Sequence, residues 1–319
     1  MCQSTSQCLG SMSLKNNSKL KIVFFGNHIY GCGSLNALVS SGFYPSLVIT
    51  NVPREDENIW YPSVSDLAIH HSIKVIKCNK VIDGGDIVKT IREIAPDILV
   101  ISSYRNILGD HVIDLAKLGA INLHMAPLPK YRGAHPENWA LINGENQMGY
   151  TVHYLDEGID TGDIIAQDSV SILDEDDILS LTFKLASVAP KLLIKVLEDM
   201  QLGIINRVSQ DESQATYYRP RKPSDGYIDW SSIDTDIYNL VKGLTRPYPG
   251  AFTYLQDAKF IVWRTRLSPD GTDESAPGTI ISSTSAGVLV STGGNAILIT
   301  DYQWSGGKIS KEFNGEIFE

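Results

Sequence analysis

Gly119-Ala-Ile-Asn-Leu-His124 runs straight into Met-Ala-Pro-Leu-Pro-Lys-Tyr-Arg-Gly133. The first six residues read as a strand, and the prolines behind them read as a loop that cannot prolong it. Asn122 and His124 alternate along that strand, so their side chains leave it on one side. Upstream, Asp97-Ile-Leu-Val-Ile-Ser102 and Lys21-Ile-Val-Phe-Phe25 are two further apolar strands, the latter ending at Gly26. Ser46-Leu-Val-Ile-Thr50 and residues 74–77 add two more. Residues 33–41, 64–71, 86–94 and 112–117, lying between the strands, read as helices. Continuously apolar strands alternating with helices predict a doubly wound, mostly parallel, Rossmann-like sheet covered on both faces.

The pattern changes downstream. Residues 148–155 read as a strand, and 162–170 contain another. Ile178, Leu181, Leu185, Val188, Leu192 and Val196 recur at helical spacing, with the acidic run 174–177 at the positive end of that helix. Pro190 should kink it. After a helix near 235–244, short strands at 251–254, 259–263, 278–281, 287–291 and 296–300 are separated by Gly and Asp. They predict a β-rich C-terminal domain, either an OB-like barrel or a small sandwich. The expected organisation is a flexible extension over 1–18, an α/β domain over 19–205, a polar linker over 206–225 and the β-rich domain over 226–319.

Composition narrows the function classes. The 319 residues carry a formal net charge of −10, with 43% apolar residues. A nucleic-acid binder usually shows a basic stripe. The small cluster Arg219-Pro-Arg221-Lys222 reads instead as a solvated linker. No run of 18 apolar residues is present, and the polar N-terminus lacks the pattern of a signal peptide. The four cysteines, Cys2, Cys8, Cys32 and Cys78, form no CxxC pair, which fits a reducing cytoplasm rather than a disulfide framework or zinc site. The turn Gly26-Asn-His-Ile-Tyr-Gly-Cys-Gly-Ser34 has the wrong glycine spacing for a dinucleotide fingerprint. The following strand also ends in Thr50-Asn51, without the acid that holds a ribose. No HExxH and no GxSxG occur, so the sequence offers no evident metal site and no activated nucleophile.

What remains is polar chemistry at a strand end. An Asn amide can donate to a developing oxyanion, and a His near neutrality can take or give a proton at cellular pH. On spacing alone, Asn122 and His124 could equally be a satisfied hydrogen-bond network at the end of a strand. Farther on, Gly158 and Gly162 bracket Asp160 in Tyr154-Leu-Asp-Glu-Gly-Ile-Asp-Thr-Gly162, a bent loop with accessible backbone.

Taken together, these blocks resemble the 10-formyltetrahydrofolate-dependent formyltransferases. Their motif is Asn-x-His, then a Pro-rich loop, then a later Asp-(Thr/Gly)-Gly. Asn122, His124, Leu128-Pro129, Tyr131-Arg-Gly133 and Asp160-Thr-Gly162 match it. The likeness runs well from about residue 21 to 203 and more loosely beyond. Many members have Ser-Leu-Leu-Pro where this chain has Ala126-Pro-Leu-Pro129, so a hydroxyl near the folate is lost. Asn138-Trp-Ala-Leu-Ile-Asn-Gly-Glu145, Ile228-Asp-Trp230 and Pro247-Tyr-Pro-Gly-Ala-Phe252 are similar to the sugar-nucleotide branch, such as the transformylase domain acting on UDP-4-amino-4-deoxyarabinose.

The resemblance implies Asn122, His124 and Asp160 as catalytic residues and 10-formyltetrahydrofolate as co-substrate, with no metal. It implies folate contacts from Tyr104, Asn106, Ile107 and Leu108 on one loop and from Asp156 and Gly158 on another. For a nucleotide-linked amino sugar, Asn27, His28 and Tyr30 would line the sugar pocket. Lys77, Lys130 and Arg132 would meet the phosphates, and Tyr217 or Tyr218 would stack on the base. A homodimer acting in surface-polysaccharide synthesis, without nucleic-acid or membrane partners, completes the expectation. The alternatives are a methionyl-tRNA acceptor, a silent nucleotide-sugar binding module and simple hydrolysis of the folate.

Overall fold

The computed structural model describes residues 19–55, 57–268, 275–305 and 314–319; the extension expected over 1–18 lies outside them. Its first strand, β1 (Ile22–Gly26), shows why the sheet is covered twice. All five residues are buried. Ile22 and Phe24 enter the apolar core on one face, and Val23 and Phe25 enter the core on the other. Burying each such side chain contributes roughly 1.5–3 kcal/mol.

The other strands of this sheet are β2 (Leu47–Thr50), β3 (Val75–Lys77), β4 (Ile98–Ser102), β5 (Ala120–His124) and, after the two-residue β6 (Arg132–Gly133), β7 (Gln147–Tyr154) and β8 (Ile164–Ser171). Their spatial order is β3-β2-β1-β4-β5-β7-β8. The first five are parallel, and β7 and β8 are added antiparallel. The chain order reverses beside β1, between β2 and β4, which is where open α/β sheets hold ligands at their carboxyl ends.

Helices α1 (His28–Ser40), α2 (Val64–His70) and the long α6 (Ile178–Gln201) cover one face; α3 (Asp86–Ile94) and α4 (Asp110–Ile113) cover the other. A short α5 (Pro136–Ile142) follows the Pro-rich loop. The Asp177 carboxylate caps α6 by accepting from Leu179 N and Ser180 N, the acidic start foreseen there. α6 continues through Pro190 as one helix. Proline has no N–H to return to the carbonyl of Ala186, and Gly33 of α1 packs against that oxygen, where a Cβ would come within 2.9 Å.

The C-terminal part has its own core. A two-residue β9 (Tyr217–Tyr218) pairs with β6. After α7 (Asp234–Leu244) come β10 (Ala251–Leu255), β11 (Ala258–Leu267), β12 (Ile280–Thr284), β13 (Gly287–Val290) and β14 (Ile297–Ser305). They form an antiparallel sheet in the order β10-β11-β14-β13-β12. The last residues lace its two edges together. Phe318 N donates to Gly278 O beside β12, and Glu319 N donates to Tyr254 O on β10, both at 2.9 Å. Among the described residues, no helix is long and apolar enough to cross a membrane.

Candidate active site

Asn122 and His124 leave one face of β5, while Ile121 and Leu123 enter the core packed under α1 and α6. The antiparallel register of β7 places His153 opposite Asn122. Asn122 Nδ2 donates to His153 Nε2 at 3.2 Å. His153 Nδ1 faces the Tyr154 carbonyl at 2.8 Å, so that nitrogen carries the proton and Nε2 is left as the acceptor. One Nδ2 hydrogen of Asn122 is thus occupied, and the second is available to a substrate oxygen. His124 Nε2 faces the Tyr131 carbonyl at 3.3 Å and Asp160 Oδ2 at 3.7 Å. Both are acceptors, so the neutral ring keeps its proton on Nε2 and its basic lone pair on Nδ1.

Asp160 closes the cluster. Its loop returns from the β7–β8 hairpin and sets the carboxylate between the two histidines, with His153 Nε2 3.6 Å from Oδ1. Gly133 N donates to Oδ2 at 2.9 Å. Burial opposes the charge on Asp160. His124 across 3.7 Å and the Gly133 N–H outweigh that burial and hold the carboxyl well below its ordinary range. Asp160 has φ +56°, and Gly162 has no room for a Cβ, which would fall 1.9 Å from Tyr154 O. The loop is therefore held in one tight shape. Asp156 Oδ1 accepts from Gly158 N and from Thr161 Oγ1, and Gly158 has no space for a side chain against Thr161.

Arg132 has a different task from the one expected of it. Its side chain is wholly buried, and its guanidinium donates to Gln210 Oε1 and to both oxygens of Glu212. Gln210 Nε2 in turn donates to Asp160 O and Gly162 O. Arg132 therefore clamps the Asp160 loop through Gln210, and its fork is occupied by protein rather than free for phosphate. Tyr218 is likewise engaged: it stacks on Tyr131 at 4.9 Å and packs against Trp139. The exposed Tyr217 lies over Arg132. Lys130, in the Pro-rich loop, and Lys77, at the end of β3, are exposed.

The loop after β4 meets the carboxyl end of β1. Tyr104 packs edge-on against Phe25 and donates its hydroxyl to Cys78 O. Asn106 accepts from Asn51 and donates to Asn79 O. Ile107 is 77% exposed, an apolar side chain offered to whatever lies above it, whereas Leu108 is buried in the core. Asn27 is buried at the start of α1. His28 sits among Tyr30, Trp60 and Tyr61, and burial together with nearby Arg105 lowers its pKa to about 4. Tyr30 donates to the buried Glu137.

Residues 67–197 match the formyl transferase family and residues 221–314 match the formyl transferase C-terminal domain. The fold is shared with the N-formyltransferase from Helicobacter canadensis, solved with folinic acid and dTDP-3-aminofucose. That structure is 20% identical, with a TM-score of 0.67 over 88% of this chain and 99% of that one. WlaRD, a sugar 3N-formyl transferase solved in the presence of dTDP and 5-N-formyl-THF, is 19% identical, with a TM-score of 0.67 over 89% and 98%. Methionyl-tRNA formyltransferase from Clostridium thermocellum is 16% identical, with a TM-score of 0.53 over 78% and 94%. At these identities the likeness is one of fold. The two domain matches, in order along one chain that holds the Asn122, His124 and Asp160 cluster, place this protein in the formyl transferase family.

Proposed function

We propose that the enzyme transfers the formyl group of 10-formyltetrahydrofolate to the primary amine of a nucleotide-linked amino sugar, dTDP- or UDP-bound, in the synthesis of a surface polysaccharide. The observation that carries the reaction is the convergence of Asn122, His124 and Asp160 with one Asn122 N–H and one His124 nitrogen unoccupied. The choice of a sugar acceptor draws on the likeness to two sugar N-formyltransferases along almost their whole length, and on the net charge of −10, which suits a small nucleotide better than tRNA.

In this reading the neutral amine attacks the formyl carbon, and the carbonyl oxygen becomes an oxyanion. Asn122 Nδ2 donates to that oxygen; removing one such donor typically costs about 2.7–4 kcal/mol of transition-state stabilisation. His124 accepts the ammonium proton, and Asp160 stabilises the imidazolium across 3.7 Å. Collapse breaks the bond from carbon to N10, and the proton is delivered to that nitrogen. The products are a formamide and tetrahydrofolate. The loops 104–108 and 156–158 would hold the pterin, with Ile107 as its apolar contact and Asp156 keeping the second loop in shape. Asn27, His28 and Tyr30 would line the sugar pocket.

The test is a turnover screen with 10-formyltetrahydrofolate against a panel of UDP- and dTDP-amino sugars. Turnover with at least one, abolished in His124→Asn while the far-ultraviolet spectrum is kept, is the expected result. Turnover with charged initiator tRNA and with no sugar would overturn the acceptor. Near-normal activity of His124→Asn would overturn the role of His124.

A further inference from the structure

Arg221 is a half-buried cation with two covered nitrogens that find no partner. Its Nε and Nη1 are shielded from solvent, and no protein atom among the described residues bonds to either. Asp225, an acid close enough to act on its charge, is committed elsewhere: its two oxygens accept a bidentate pair from Arg219 and the backbone N–H of Lys222. A guanidinium cannot escape burial by shedding its proton, as a lysine would. Folded proteins rarely leave such a group unpaired, because an uncompensated buried charge is strongly destabilising.

Arg221 lines a cavity of about 210 Å³ together with His135, Lys222, Tyr248 and the backbone at Gly226 and Gly250. Its guanidinium lies toward the Tyr248 ring, 5.9 Å from the centroid. Burial first, and Arg221 second, keep His135 below its usual pKa, so its ring is neutral at pH 7 and can still donate one N–H. The cavity thus offers one fixed positive charge, a second at Lys222 and neutral donors, and no carboxylate lines it.

The cavity also has a defined relation to the reaction centre. His135 is two residues beyond Gly133, whose N–H holds Asp160. Two residues span at most about 7 Å of chain. In a nucleotide-linked amino sugar, a single sugar ring separates the amine from the diphosphate. A substrate with its amine at His124 therefore has His135 within the reach of its phosphates.

We propose that Arg221, with His135 and Lys222, is the diphosphate subsite of the nucleotide-linked substrate, an assignment that rests on the sugar-acceptor reading above. The charge that looks unpaired is paired when substrate binds, by anionic oxygens that match the guanidinium fork.

The test compares wild type, Arg221→Met and Arg221→Lys by calorimetric titration with dTDP, UDP, inorganic pyrophosphate and folinic acid, alongside thermal unfolding without ligand. Arg221→Met should bind the nucleoside diphosphate about 10- to 100-fold more weakly, with folinic acid binding unchanged. Its ligand-free Tm should be equal to wild type or higher, since a buried lone charge is removed. Arg221→Lys, which keeps the charge and loses the fork, should fall between the two and stands in if the Met variant does not fold. Unchanged nucleoside diphosphate affinity in Arg221→Met overturns the proposal and leaves the sugar reading standing. A loss confined to folinic acid overturns it in favour of a carboxylate site. If wild type binds pyrophosphate through Arg221 but neither nucleotide, the anion site stands and the nucleotide-sugar reading fails. Wild type that binds none of the phosphates overturns the subsite outright.

Discussion

The reaction centre and the Arg221 cavity meet through the segment from Gly133 to His135, yet their hydrogen bonding differs. At the centre, Asp160 is held by His124 and a backbone N–H, His153 by Asn122 and a carbonyl, and the whole loop by Arg132 through Gln210. In the cavity, two guanidinium nitrogens have no partner. The difference separates two kinds of functional polarity. Groups that must act on a transient charge are fixed in advance, because dipoles already oriented need no reorganisation during reaction. Groups that only hold a substrate can remain unsatisfied until it arrives, at a cost to the free enzyme that binding repays.

Breaking the fixed side should give the largest effects. Asp160→Asn keeps the shape and removes the charge opposite His124, so kcat is expected to fall about 10³-fold or more, with folinic acid affinity nearly intact. Single-turnover formyl transfer measures it; a loss under tenfold would show that His124 works without its acid. Asn122→Ala comes next, with kcat lower by about 10²- to 10³-fold, the usual effect of losing an oxyanion donor. It also strips His153 Nε2 of its partner. A variant of His153 alone, His153→Phe, therefore asks whether Asn122 needs that acceptor to be aimed.

Arg132 and Arg221 sharpen the contrast further. Arg132 is fully partnered and acts at one remove, as a positioning residue. Arg132→Met should lower kcat by about 10- to 100-fold, the scale of a small misplacement of a catalytic group, and leave KM for the nucleotide substrate unchanged. Arg221→Met should do the reverse, raising KM with a smaller change in kcat. If both variants change KM alone, Arg132 reaches the substrate after all.

How much of this could be read from the chain follows the same division. β1, β4 and β5 were legible because a strand buried on both faces must be apolar throughout, and local composition records that. Asn122 and His124 were legible as a pair because they alternate on one strand; two glycines marked the bent loop of Asp160, and only the family resemblance gave that residue a role. His153 was not singled out. It lies in Gly149-Tyr-Thr-Val-His153, which reads as ordinary strand, and its meaning comes only from the register that sets it opposite Asn122. The antiparallel turn of β7 and β8 is equally silent until the pairing is known. Arg132 read as a free loop cation because its partners, Gln210 and Glu212, stand nearly eighty residues on. Arg219 and Arg221 read alike in one basic run. Arg219 is indeed solvated and paired with Asp225, while the chain turns Arg221 inward. Charge on a sequence says what a residue carries, and only the fold says whether anything answers it.

His28 gives the smallest test, since Arg105 and His135 are both close enough to act on its charge. Burial is the main cause that lowers its pKa to about 4, against about 6.5 in an unfolded chain. Between those values the unfolded state takes up a proton that the folded state refuses, so folding stability falls as pH drops from about 6.5 toward 4 and is fully present above 6.5. The Asp160 carboxylate, depressed in the fold, keeps its contribution throughout that window and loses it only in stronger acid, below the ordinary carboxylate range. The two groups are therefore separable by pH. Urea midpoints at pH 7, 6 and 5 should decline in wild type and decline less in His28→Gln, with the m-value unchanged. A bound substrate would add a further sign. If its diphosphate occupies the cavity beside His135, negative charge approaches His28 and favours its protonated form, so saturating dTDP should shrink the wild-type decline. An equal decline with and without nucleotide would mean that the cavity and the aromatic nest around His28 do not sense one another, and that the phosphates bind elsewhere.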